Sequence, residues 1–241
     1  MPREISAPLL MNPKEAFRSF GSVLRERGIR AFFRAITDRL YIRWFEWRLG
    51  IRSEAVIDLK EFGIKNELFR PYVPTDYRSF QTILAALGVR ANEEVFLDFG
   101  SGMGRALILA ATRPFRKIYG VEIAEQLNEI ARQNVRNALS RLKCRDIELI
   151  TANAKEFVIP DEVTVIYFAN PFCGEVLSDA LNNIRASLRR QPRTLRLICK
   201  IPARSAFEEE ITKHTWLIKE REIIFDTNSR YLFLTVHDKE R

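Results

Sequence analysis

The sequence predicts an α/β fold in which a mostly parallel sheet of seven strands carries helices on both faces, ends in an antiparallel strand and follows a helical extension. Three observations predict it. From residue 94 onward, short apolar runs alternate with amphipathic segments of helical period, as in strand–crossover–strand units. The first run ends in an acid and passes through a glycine-rich loop into a helix, the place where open α/β sheets hold ligands. Two long β-type runs, 216–225 and 230–237, are separated by the turn-forming Asp226, Thr227 and Asn228, so they make an antiparallel edge.

In chain order, the apolar residues Ile29, Phe32, Phe33, Ile36, Leu40, Trp44 and Trp47 recur at helical spacing with Arg30, Arg34, Asp38, Arg39, Arg43 and Arg48 between them. One or two amphipathic helices are expected over 13–49, with Gly50 as a stop. Residues 1–70 form this basic extension or cap, and 71–241 form the main domain. A short helix is expected at 76–87. Strands follow at 94–99, 117–122, 147–152, 163–169 and 195–201, with helices at 105–112, 124–142, 175–189 and 205–212.

Composition excludes several classes. With 46% hydrophobic residues the chain builds a sizeable core. Cys144, Cys173 and Cys199 show no paired or metal-type spacing, and two histidines leave few ligands for zinc, so no metal site is expected. The first residues lack the apolar core of a signal peptide and no run is long enough for a bilayer-spanning helix, so a cytoplasmic protein is expected. Of the net charge of +8, most lies in residues 1–50, which hold ten Lys/Arg against five Asp/Glu. An anionic partner for these Arg-rich helices is one reading. Three remain open: a cap packing its Phe/Trp face on the main domain, a nucleic-acid-binding arm, and a membrane-surface helix. The interspersed Glu26, Asp38 and Glu46 favour the cap, as the acids of a solvated face.

The chemistry concentrates at strand ends. Glycines at 100, 102 and 104 permit a tight turn and close ligand approach, and the helix beginning near Arg105 presents N–H groups to a carboxylate or phosphate. Asp98 beside that positive end suits a zwitterion better than a pyrophosphate. Against a dinucleotide fingerprint, its third glycine falls on Arg105. Glu122, 22 residues after Gly100 at the tip of the second strand, is placed to accept both ribose hydroxyls of an adenosine.

The string Asp98-Phe99-Gly100-Ser101-Gly102-Met103-Gly104 resembles motif I of the class I, Rossmann-like, seven-strand methyltransferases that use S-adenosylmethionine (SAM). The resemblance implies SAM as cofactor, seated at Gly100, Ser101, Gly102 and Gly104, with Asp98 holding its ammonium, Glu122 its ribose, Asn153 its adenine amino group and Ala154 leaving room for the ring. Asn170-Pro171-Phe172 after the fourth strand resembles the Asn-Pro-Pro-Tyr/Phe motif of enzymes that methylate amino groups, with one Pro missing and Cys173 in the aromatic's usual place. It implies transfer to a nitrogen of a protein, nucleic-acid or small-molecule acceptor, with Asn170, Pro171 and Phe172 as catalytic candidates. A Tyr-x-Pro-Thr element, Tyr72 to Thr75, with Arg48-Leu49-Gly50 and the Asn-Pro-Phe, is similar to a little-characterised group of these enzymes and implies that Tyr72, Pro74 and Thr75 fold over the cofactor as a lid. Other classes to weigh are a catalytically silent SAM-fold protein that binds a partner through its basic helices, and a nicotinamide-dependent oxidoreductase. His214 and His237 have no recognisable partners in sequence and are expected to be surface or strand residues.

Overall fold

The computed structural model describes Ile29, Phe33 and residues 36–202, 205–226 and 229–236. His237, Thr227, Asn228, Glu26 and the expected helical residues before Ile29 lie outside these. Seven strands form one sheet: β1 (Val95–Phe99), β2 (Lys117–Glu122), β3 (Ile147–Thr151), β4 (Val165–Phe168), β5 (Arg196–Ile201), β6 (Leu217–Asp226) and β7 (Ser229–Val236). Their order is β3-β2-β1-β4-β5-β7-β6. The first five are parallel, and β7 inserts antiparallel between β5 and β6. The order reverses between β1 and β4, where outgoing chain ends diverge and leave a crevice.

Strand β1 shows why this sequence makes a covered sheet. All five of its residues are buried, and the side-chain period of two sends them to opposite layers. Val95, Leu97 and Phe99 join the apolar layer of α5 (Gly174–Arg190) and α6 (Ala206–Lys213). Phe96 joins the layer of α2 (Tyr77–Leu87) and α3 (Arg105–Ala111). Helix α2 starts where Asp76 accepts the Ser79 N–H at 2.8 Å, and it ends at Gly88 with φ of +63°. Helix α4 (Glu125–Ala138) is shorter than expected; a 3-10 turn, Leu139–Arg141, replaces its last turn.

The N-terminal helix, α1, covers 36–49 and stops at Gly50, whose φ is +71°. Its packing corrects the sequence reading in two ways. Phe45 and Leu49 are buried in the layer of α2 and α3, whereas Trp44 and Trp47, part of the face expected to pack, are exposed. Nor does Glu46 line a solvated face, although Asp38 stays part-exposed. Asp38 pairs with Arg78 of α2 at 3.1 Å, and Glu46 pairs with Arg105 of α3 at 3.1 Å.

From Ile51 to Phe69 the chain runs across the loop ends of the sheet. Leu59 packs with Met103, Ala124 and Leu127. Bridges Ile57↔Tyr72 and Phe69↔Phe172 stitch it to the crevice.

Candidate active site at the reversal of strand order

A cavity of about 320 Å³ opens over the tips of β1, β2 and β4, within the size range of small-molecule sites. Its lining includes Gly100, Glu122, Ala154 and the run Asn170-Pro171-Phe172, and it is covered from the side by Tyr72 and Phe69. Asp98, Ser101, Gly102, Gly104, Asn153 and Thr75 do not line it. They sit around it with other work.

The glycine loop is pinned by the chain itself. Gly100 and Ser101 both donate to the Val121 carbonyl, at 2.8 and 3.1 Å, and Gly102 donates to Glu122 Oε2 at 2.8 Å. The other carboxylate oxygen of Glu122 takes the Ala124 N–H at 2.9 Å. Glu122 therefore joins the loop of β1 to the start of α4, a role its sequence position did not disclose. Gly100, Gly102 and Gly104 all have positive φ. A Cβ on Gly100 would overlap Pro171, and one on Gly102 would overlap the Tyr72 ring.

Beneath the loop lies a pair of carboxylates. Asp98 is buried on the tip of β1, and burial first, then the charge of Glu122, pushes its carboxyl up from the usual range. Burial raises Glu122 as well, opposed by the backbone N–H groups it accepts. Asp98 Oδ1 and Ser101 Oγ are buried and have no hydrogen-bond partner among the described residues. A buried acceptor of this kind calls for a donor. An ammonium beside two like-charged carboxylates supplies both the donor and the charge, so the donor set fits the cationic methionine end of SAM.

The motif after β4 is held firmly. Asn170 has φ of +59°, a left-handed conformation that Asn tolerates better than most residues. The Phe172 ring packs edge-on against Phe99 and Phe168, which commits most of its surface to the core. Pro171 O accepts the Arg70 N–H at 2.9 Å, and Leu68 O accepts the Cys173 N–H at 2.8 Å. Arg70 Nη2 also reaches Cys173 Sγ at 3.5 Å.

Tyr72 donates its hydroxyl to the Ser53 carbonyl at 2.8 Å with its ring on Gly102. Thr75 lies deeper, its carbonyl accepting from Arg105 Nη1 at 3.3 Å and its hydroxyl 3.5 Å from that of Tyr167. Asn153 spends its Oδ1 on the Lys155 N–H, while Ala154 lines the cavity. His214 does have partners. Trp216 donates to its Nδ1 at 3.3 Å, and Glu210 stands 3.6 Å from its Nε2.

Two residues carry more than the sequence reading allowed. Arg105, set aside there as too large for a dinucleotide loop, is 3% exposed. It donates to Ser53 Oγ at 2.8 Å and to Glu46 and Glu54 at 3.1 Å, and its guanidinium lies over the Tyr77 ring. Only an unpaired-looking Arg at the head of an apolar helix hinted at this. Lys200, which lines the cavity at the carboxyl end of β5, was findable from the strand-tip rule alone.

The geometry has counterparts among known proteins. A family model described as Histone methylation protein DOT1 matches residues 69–213, more than half of the chain. An RNA methyltransferase from Salinibacter ruber, solved with S-adenosyl-L-homocysteine, is similar with 20% identity and a TM-score of 0.50, covering 69% of this chain and 95% of that one. The magnesium protoporphyrin IX methyltransferase of Synechocystis, solved with SAM, is similar with 18% identity and a TM-score of 0.50, covering 67% and 78%. A SAM-dependent methyltransferase from Aquifex aeolicus is similar with 15% identity and a TM-score of 0.53, covering 75% and 100%. Comparison with curated proteins found no match. These likenesses establish the class I fold, and with the family match over α2 to α6 the chain belongs to the Histone methylation protein DOT1 family, a SAM-dependent methyltransferase.

Proposed function

We propose that the chain transfers a methyl group from SAM to a nitrogen of a protein acceptor. The observation that carries the reading is the meeting of Asn170-Pro171-Phe172 with Gly100 and Glu122 in one cavity. The family's printed name, which concerns histone methylation, favours a protein over a nucleic acid or a small molecule. SAM, when bound, supplies an electrophilic methyl group for an in-line displacement, so the protein contributes alignment and exclusion of water. Asp98 and Ser101 hold the methionine end through their unsatisfied oxygens, Gly100, Gly102 and Gly104 shape its bed, and Glu122 meets the ribose with oxygens already oriented by two backbone N–H groups. Ala154 leaves room for the adenine, with Asn153 at its edge. Asn170 orients the acceptor nitrogen, fixed by the Pro171 and Phe172 packing. Tyr72 and Thr75 belong to a lid that Arg105 ties down. We further propose that residues 1–70 cap the methyltransferase domain of 71–241, in the group defined by the basic N-terminal helices and the Asn-Pro-Phe motif. Incubation of the chain with methyl-labelled SAM and cell extract, followed by protease or nuclease digestion, tests the acceptor. Label released by protease supports the reading; label released by nuclease, or none in any macromolecule, refutes it.

A further inference from the structure

Helix α1 has two apolar faces, and among the described residues only one is buried against the rest of the fold. Phe45 and Leu49 are buried against α2 and α3. At about 100° per residue they lie roughly 140° and 180° around the helix from Leu40. Leu40, Trp44 and Trp47, spaced i, i+4, i+7, form the outward row and are 63%, 46% and 79% exposed. Ile29 is helical and exposed as well, and its sequence spacing continues the same row.

Charge is divided between the faces as sharply as apolar surface. Both acids of residues 36–49 are paired away from the outward row, Asp38 with Arg78 in a part-exposed pair and Glu46 with the buried Arg105. The outward row is left with Arg43 on one flank and Arg48 on the other, both exposed, and the Arg48 guanidinium sits 5.3 Å from the Trp44 ring centroid. Apolar side chains in a line, with tryptophan among them and arginine on either side, are what a helix lying in a lipid interface presents. Tryptophan favours the headgroup level and arginine reaches the phosphates beside it.

We propose that the outward face of α1 docks this protein on an anionic phospholipid bilayer, with Leu40, Trp44 and Trp47 entering the interface and Arg43 and Arg48 contacting lipid phosphates. A second copy of the chain is a poorer occupant, since pairing two such helices brings their arginines together. A duplex nucleic acid is poorer too, because its phosphate ridges would meet a hydrophobic row. The proposal is independent of the methyl acceptor.

The test uses the full chain and vesicles of phosphatidylcholine, alone or mixed with phosphatidylglycerol. Co-sedimentation with the mixed vesicles only, with a blue shift in tryptophan emission, is the expected result; Trp216 is 8% exposed and contributes little to that shift. The double substitution Trp44→Ser, Trp47→Ser should weaken binding on the order of tenfold or more; Trp47→Ser alone, at a ring 79% exposed, should weaken it too and leave the melting temperature within error. Arg43→Gln with Arg48→Gln should lose the preference for anionic vesicles. Absence of vesicle binding overturns the proposal, as does binding that survives the tryptophan substitutions or is equal on neutral vesicles. Self-association or oligonucleotide binding that disappears with those substitutions, without vesicle binding, assigns the face to a different partner and overturns it too.

Discussion

Replacement of Arg105 by Met should separate the N-terminal helix from the cofactor loop. Met keeps the apolar stem and removes five donors. In the native fold these donors reach Ser53 Oγ, the Thr75 carbonyl, Glu46 and Glu54. Glu54 is half exposed and contributes little. Glu46 matters more, since its side chain is 15% exposed. Removing one partner of a buried pair costs about 3 to 5 kcal/mol. The lower end applies, because Glu46 Oε1 keeps the Ser53 N–H at 2.8 Å and hydroxyl at 2.7 Å. The expected loss of about 3 kcal/mol would lower the melting temperature by roughly 6 to 12 °C for a chain of this size. Urea titration reads the stability, and the double substitution Glu46→Gln, Arg105→Met should cost less than the sum of the single ones. Calorimetry should show weaker SAM binding too, because the Thr75 carbonyl and, through Ser53, the Tyr72 hydroxyl lose their anchor. A stability change under about 1 kcal/mol with unaltered SAM affinity would refute the tether.

Glu122→Gln should weaken SAM binding and lower stability together, by about 1 to 3 kcal/mol each, since an amide nitrogen cannot accept one of the two buried N–H groups; calorimetry and urea titration read the two effects. Gly102→Ala places a methyl group in the Tyr72 ring at φ of +53° and should abolish measurable SAM affinity, with partial recovery on adding Tyr72→Ala. Asn170→Ala should reduce kcat on the order of tenfold or more and leave the SAM Kd nearly unchanged; a changed Kd alone would move Asn170 to the cofactor. The Asp98 carboxyl is raised in the folded protein, so the native state binds more protons than the unfolded chain from the ordinary carboxylate range up to the raised value. Ligand-free stability therefore falls as pH rises through that window. SAM affinity should rise over the same window, because the ionised pair attracts a cation, and calorimetry from about pH 5 to about pH 8 should show this trend flattened in Asp98→Asn.

Element order was readable because burial on both faces writes apolar runs such as 95–97 and 165–168, which helices of another period interrupt. The positions of the motif residues at strand tips were readable for the same reason, since the strand boundaries fix where those residues fall in the fold. What stayed hidden depends on pairing across distance. Asp38 and Glu46 look alike in sequence to acids of a solvated face; only the position of Arg105, 59 residues on, shows that Glu46 points inward, while Asp38 keeps a part-exposed pair with Arg78. Helical period likewise finds apolar rows but does not say which row the fold takes. Trp44 and Trp47 looked the richer face for packing; the smaller Phe45 and Leu49 row won because Tyr77 stands across from it, with ring centroids 4.8 Å apart from Phe45.

The glycine loop shows why a motif is weaker evidence than the atoms around it. Each of its glycines is already required by the chain: Gly100 by Pro171, Gly102 by Tyr72, and Gly104 by Ala131, whose Cβ would stand 3.1 Å from an added methyl. Its N–H groups at 100, 101 and 102 are likewise taken by Val121 and Glu122. A connector of strand to helix would need this much and no more. It would have no use for a buried Asp98 with an unsatisfied oxygen next to a second buried carboxylate, an arrangement that costs stability unless something positive arrives. On the function proposed above, the carboxylate pair, more than the glycines, would select a cationic nucleoside over a pyrophosphate, and Asp98→Asn should stabilise the ligand-free fold while it weakens SAM binding.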